Sequence, residues 1–196
     1  MKNFLILTLK LLLVCVATSA VSFITMALVM GGNLALIYKV IISVLFIAFT
    51  VLLTWNNTYH RGIDDAKKRQ NKAYKGFLAG GIAMLPMLVV AILYMITTYN
   101  GFFAGASIKT AETLYLILYF VFIAYCPVLS SFASFNPALS IDFSQPAVIH
   151  INDINMPNAV NAPLFLIPIF IFVLVAGIGY IYGYQAQNKL INGIKK

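Results

Sequence analysis

The residues best suited to binding a ligand lie in one polar stretch of the chain's last third. Asp142, His150 and Asp153 offer carboxylate oxygens and an imidazole, the donor types that cations prefer in proteins. Their spacing matches no established metal motif, so a solvated or interfacial loop is the simpler interpretation. We keep the three residues as weak ligand-site candidates, and the sequence predicts no cofactor.

A second set of ionisable side chains surrounds His60, Asp64 and Asp65. Ion pairing, or N-capping of a helix by Asp64 or Asp65, explains the carboxylates better than catalysis. Clustered cations beside apolar runs determine membrane topology and attract anionic lipid headgroups. The cations here therefore predict contact with lipid. They give no reason to expect binding of nucleic acid. The six cations of this stretch are Arg61, Lys67, Lys68, Arg69, Lys72 and Lys75.

The apolar runs carry almost no groups for chemistry. Lys10 and Lys39 are their only ionisable Asp, Glu, Lys, Arg or His residues, and each lies near the end of a run. Mid-span charges mark ion pathways and proton relays, so their absence from the sequence argues against an ion-coupled transporter working alone. The sequence also lacks the Gly-x-Ser-x-Gly and His-Glu-x-x-His motifs. It therefore predicts a protein that is not an enzyme.

Tyrosines are concentrated on the third and fourth apolar runs. Tyr115 and Tyr119 are four residues apart and share one helix face. Such side chains can line a cavity for an apolar solute, but more often they form a membrane-interface belt or hydrogen-bond between helices. The members of this group are Tyr94, Tyr99, Tyr115, Tyr119 and Tyr125.

The composition decides which elements position these residues. Of 196 residues, 62% are hydrophobic and 9% are charged, and the formal net charge is +8. A soluble domain cannot bury so much apolar surface, which predicts an integral membrane protein in contact with the lipid bilayer. We expect an all-α polytopic transmembrane helix bundle with five hydrophobic segments in a single membrane domain. The predicted spans are about 11–30, 34–55, 76–99, 114–135 and 164–184, with a basic cytoplasmic loop at 56–75 and a long polar loop at 136–162.

Small residues indicate where the helices approach one another. Glycines four apart on a helix allow close contact between membrane helices, and five glycines are therefore predicted to pack helices together. Pro86 lies in mid-span and is expected to kink the third segment. The five glycines are Gly76, Gly80, Gly177, Gly179 and Gly183.

The orientation of the fourth segment is in conflict with the charge bias. The cations of the loop at 56–75 predict that this loop lies in the cytoplasm. Two spans precede it, so the N-terminus is predicted to lie in the cytoplasm as well. A fully spanning fourth segment would then put the cation-free loop 136–162 inside and the lysine-bearing tail outside. Two readings remain open: the segment is re-entrant, turning at Pro127, or five full spans exist and the tail charges are too few to matter.

Three motifs carry a resemblance to a known group. They are Arg61-Gly-Ile-Asp-Asp65, Lys75-Gly-Phe-Leu-Ala-Gly80 followed by Pro86, and Gly179-Tyr-Ile-Tyr-Gly-Tyr184 before a lysine tail. With them the chain resembles small polytopic membrane proteins of low-GC Gram-positive bacteria that have no assigned function. The resemblance implies a bacterial plasma membrane and transfers no activity.

We therefore expect a non-enzymatic membrane component: a permease-like or accessory subunit that works with protein partners. Glycine-rich and proline-broken helices, together with the missing coupling charges, favour this hypothesis. One alternative is a membrane-embedded enzyme that uses the loop residues around His150. Another is a structural or immunity-type membrane protein.

Overall fold

The computed structural model describes residues 2–30, 36–68, 74–99, 108–133, 148–151, 154–157 and 162–193. Its helices are α1 (Lys2–Met30), α2 (Leu36–Lys67), α3 (Lys75–Tyr99), α4 (Ile108–Phe122), α5 (Cys126–Ala133) and α6 (Leu166–Gly193), the last preceded by a 3₁₀ turn at Ala162–Phe165. Strands β1 (Val148–Ile151) and β2 (Ile154–Pro157) pair antiparallel, with Ile151 opposite Ile154. The all-α prediction is confirmed, with this short hairpin added inside the predicted loop 136–162.

Four helices are long and apolar enough to cross a membrane within the part of the chain that the structure describes. They cover Phe4–Met26, Ile37–Lys67, Lys75–Ile96 and Leu166–Asn192. Each exceeds the roughly 20 residues that a hydrocarbon core about 30 Å thick requires. The lengths and compositions of these helices are compatible with a multi-pass integral membrane protein. Five spanning segments are not confirmed, because the fourth apolar run forms two shorter helices.

Helix α2 runs further than the sequence predicted. The expected loop at 56–75 is helical as far as Lys67, so only residues 68–74 separate α2 from α3. Asp64 and Asp65 consequently lie in the last turns of a helix, and the prediction that one of them caps a helix N-terminus is wrong. The helix continues because Gly62 and Asp65 pack against α6, and such tertiary contacts outweigh the polar character of the segment.

The fourth apolar run is broken next to Pro127, the residue at which the re-entrant alternative places a turn. Helix α4 ends at Phe122, three residues form a turn, and Pro127 occupies the first turn of α5. The amide of Tyr125 donates to the Phe122 carbonyl at 2.8 Å, and the amide of Cys126 donates to the Ile123 carbonyl at 3.2 Å. A proline disfavours helical conformation in the residue before it and is tolerated where a helix begins, so the break precedes it.

The chain divides into two compact units, and the first contains residues 1–17, 48–86 and 169–196. Within this unit glycines fix the directions of three helices. Gly179 lies against Trp55 and Thr58, and Gly183, further along α6, lies against Tyr59. Helices α2 and α6 therefore run parallel.

Helix α3 runs the opposite way in the same unit. Gly76 at its start contacts Tyr180, whereas Gly80 contacts Ala176 and Val173, which precede Tyr180 along α6. The contacts move backwards along α6 as α3 advances, so α3 is antiparallel to α6.

The second unit, residues 18–47 and 87–168, has an aromatic core. The Phe165 ring lies 6.2 Å from Tyr94, 6.3 Å from Tyr115 and 6.3 Å from Phe122, measured between ring centroids. Tyr94 and Phe165 are completely buried. Tilted and edge-on aromatic pairs at such separations add to the stabilisation from burial.

Candidate functional site

Asp65 is the centre of a cluster of ionisable side chains in the first unit. Its side chain is fully buried, and its Oδ2 accepts hydrogen bonds from Lys75 Nζ at 2.7 Å and from the Tyr180 hydroxyl at 2.8 Å. Its Oδ1 lies 3.0 Å from Arg61 Nη2. That contact is an ion pair without hydrogen-bond geometry, and Oδ1 accepts no hydrogen bond from the described residues. We call these four residues the Asp65 cluster.

Three helices supply the Asp65 cluster. Arg61 and Asp65 are one turn apart near the end of α2, Lys75 is the first residue of α3, and Tyr180 belongs to α6. A short connection brings the end of α2 and the start of α3 together, and the parallel course of α6 adds the tyrosine. The cluster therefore ties the three helices at one end.

The glycines around the cluster permit this approach. A Cβ atom at Gly76 would lie 2.5 Å from the Cβ of Tyr180, and one at Gly62 would lie 2.7 Å from the Tyr184 amide nitrogen. Both distances are shorter than real side-chain contacts. With glycine at these positions, the Tyr180 backbone comes close enough for its hydroxyl to reach Asp65.

The charges in the cluster favour a structural role for Asp65. One carboxylate faces a guanidinium and an ammonium, whose side chains keep exposures of only 17% and 15%. Removing one member of a buried ion pair is costly, since the remaining charge lacks compensation. A carboxylate engaged by three partners is poorly placed to bind and release protons during transport.

The six cations predicted to contact lipid occupy different environments. Arg61 and Lys75 point into the Asp65 cluster, whereas Lys67 and Lys68 are exposed at the end of α2. Arg69 and Lys72 lie outside the described residues. The described cations still available to headgroups on this loop are therefore Lys67 and Lys68, and Lys189 on α6 is exposed as well.

The five glycines predicted to pack helices all lie at contacts in the first unit. Gly76 and Gly80 face α6, and Gly177 lies against the Phe77 ring of α3. Gly179 and Gly183 face α2, as described above. Sequence reasoning missed Gly62, which lies against Tyr180 and has no second glycine four residues away.

The weak ligand-site candidates are not brought together by the described residues. The backbone of His150 belongs to β1 and pairs with Asn155, while Asp142 and Asp153 lie outside the described part of the chain. Within that part, no group of three or more His, Cys, Asp or Glu side chains is placed to hold a metal ion.

Most of the predicted tyrosine group belongs to the second unit's core. The Tyr115 ring lies 5.9 Å from that of Tyr94 and 5.6 Å from that of Tyr119. Tyr125 packs 6.1 Å from Phe122. The burial of Tyr94, Tyr115 and Tyr125 fits helix packing better than an interface belt.

Comparison with known proteins finds no match to this chain among family models, curated proteins or solved structures. The basis for a function is therefore the chain's own residues and their arrangement.

Proposed function

We propose that this chain is a non-enzymatic permease-like or accessory subunit of a membrane complex. It would reside in a bacterial plasma membrane, with its N-terminus and residues 68–74 in the cytoplasm. Three features support the proposal: the apolar helices, the exposed cations, and the unequal burial of the four long helices.

The weak burial of α2 is the observation that carries the proposal. In the most apolar 18-residue stretch of each helix, the buried share is only 11% in α2, against 28% in α1, 33% in α3 and 44% in α6. The C-terminal part of the helix is anchored by the glycine contacts and the Asp65 cluster. A stripe of large apolar side chains is left uncovered along it: Ile37, Ile41, Val44, Leu45, Phe49 and Leu52. We assign this stripe, the α2 stripe, to a transmembrane helix of a partner protein.

The polar groups support a non-enzymatic role. Asp65, the fully buried carboxylate of the described residues, is occupied by its three partners. Its position at the end of α2 also keeps it away from the centre of a span, where proton relays are found.

The orientation is supported by the exposed cations. Lys67 and Lys68 end α2, and Lys189 lies near the end of α6, which runs parallel to α2. Exposed lysines at the same end of two parallel helices favour the cytoplasmic side for that end.

Photo-crosslinking from the α2 stripe tests the partner assignment. With p-benzoylphenylalanine at Leu45, irradiation of native membranes should give one discrete adduct with a different protein. The same probe at Leu174 of α6, a position 51% exposed, is the matched control and should give none. A protein adduct at Leu45 requires a helix packed against the stripe.

Two results would contradict the subunit proposal. One is lipid adducts alone at both positions, which means that the stripe faces the bilayer. The other is an adduct of twice the chain's own mass, which assigns the stripe to a second copy.

A further inference from the structure

We infer that α4 and α5 form a re-entrant hairpin. The hairpin enters from the face of the membrane opposite residues 68–74, turns at mid-depth against α1, and returns to the face it came from. We call Ile123–Tyr125 the hairpin tip.

The directions of α3 and α6 give the first argument. In the first unit, the start of α3 lies beside the later part of α6, through Gly76 and Tyr180. In the second unit, Tyr94 near the end of α3 contacts Phe165 just before α6. The first-unit contacts already make α3 and α6 antiparallel, and the second-unit contact is, taken by itself, of the kind that antiparallel helices make. The segment between them must begin and end on the same side of the membrane, which requires an even number of crossings.

The length of α4 gives the second argument. Its apolar part is Thr113–Phe122, ten residues that extend about 15 Å at 1.5 Å per residue. That distance is about half of a hydrocarbon core roughly 30 Å thick. Helix α5, with eight residues, is shorter still. Two successive full crossings do not fit into α4 and α5, the helices that the structure describes between α3 and α6. A half-crossing followed by a return fits their lengths and satisfies the even number.

The depth of the tip follows from a contact with α1. The Ser19 hydroxyl donates to the Val121 carbonyl at 3.0 Å, and Ser19 lies near the middle of the 29-residue α1. A helix that spans the bilayer places its middle residues at mid-depth. The end of α4 therefore reaches the centre of the membrane, where the turn follows.

The backbone at the tip has the partners that such a depth demands. Non-helical backbone inside a bilayer is tolerated only where it is buried in protein or lines water. Ile123, Ala124 and Tyr125 are at most 9% exposed. The carbonyl of Val121 is bonded to Ser19, and that of Phe122 to the Tyr125 amide.

A hairpin also removes the charge conflict in the sequence. The cation-free residues 136–162 then stay on the non-cytoplasmic side, and the lysine-bearing end of α6 is cytoplasmic. Both placements agree with the positive-inside bias. Asp142, His150 and Asp153 would accordingly face the outside.

Single-cysteine labelling tests the hairpin. Thr110→Cys lies near the start of α4, Ser144→Cys follows α5, and Lys68→Cys marks the opposite side. Intact cells are treated with a membrane-impermeant maleimide before and after permeabilisation, and the wild-type chain with Cys15 and Cys126 is the blank. We expect Thr110→Cys and Ser144→Cys to react fully in intact cells and Lys68→Cys only after permeabilisation. Reaction of Thr110→Cys and Ser144→Cys from different sides, or of all three from one side, would overturn the hairpin.

The contact at the tip has its own readout. In a Cys15→Ser background, Ser19→Ala removes the hydroxyl bonded to Val121 and should increase the labelling rate of the buried Cys126 by a small permeant maleimide. Thr25→Val is the matched control, because the Thr25 hydroxyl bonds to Val21 of its own helix and labelling should not change. An unchanged rate in Ser19→Ala would overturn the docking of the tip on α1.

Discussion

Asp65→Asn is expected to destabilise the protein by about 3 kcal/mol, the low end of the cost of breaking a buried ion pair. The variant keeps the shape of the side chain but leaves Lys75 and Arg61 without their shared counter-charge. Both cations keep some exposure, so hydration offsets part of the loss. Thermal unfolding in mild detergent, at fixed detergent and protein concentrations, measures the change.

Asp64 provides the matched control for Asp65. It is the neighbouring carboxylate but is exposed, so Asp64→Asn should change stability by less than about 0.5 kcal/mol, as ordinary surface substitutions do. Equal effects of the two variants would contradict the structural role of the Asp65 cluster. Stability of Asp65→Asn at the wild-type level would contradict it as well.

Gly183→Ala should be the most damaging single methyl addition in α6. The new Cβ would meet the Tyr59 carbonyl oxygen and lie 2.8 Å from its carbonyl carbon, and backbone atoms cannot rotate away. Overpacking of this kind costs about 1–3 kcal/mol. The gain of about 1 kcal/mol for replacing a helical glycine by alanine works against that loss. Because the clash is with backbone atoms, we take the upper end of the overpacking range, so the net destabilisation is expected to be about 2 kcal/mol in the same unfolding experiment.

Gly81→Ala separates the steric effect from helix propensity. Gly81 is in α3, and a Cβ there would meet no atom within 4 Å. This variant should be as stable as wild type or slightly more stable, because only the propensity gain remains. If Gly183→Ala were as stable as Gly81→Ala, α2 and α6 would not be in the close contact described.

Apolar runs and glycine spacing made the helical architecture predictable. Runs of twenty or more apolar residues indicate membrane helices by length alone, and the Gly76–Gly80 and Gly179–Gly183 pairs have the spacing of close helix contacts. The helix ends were not predictable. Polar residues from Asn56 onward indicated a loop, but packing of Gly62 and Asp65 on α6 extends α2 to Lys67.

Only part of the Asp65 cluster could be predicted from the sequence. Arg61 and Asp65 are four residues apart, and this spacing already indicates an ion pair. Tyr180 is 115 residues from Asp65, and no local pattern pairs two residues so far apart. The glycines on both sides of Tyr180 were the available signal, because they mark α6 as a helix that others approach closely.

Helices α2 and α6 run parallel, and the side of the membrane reached by the C-terminal end of α6 tests this arrangement most directly. One epitope is placed after Lys196 and another between residues 68 and 74, and sealed vesicles are treated with protease. The parallel arrangement predicts that both epitopes are protected together, or cleaved together when the vesicles are inverted. Cleavage of one epitope with protection of the other would contradict it.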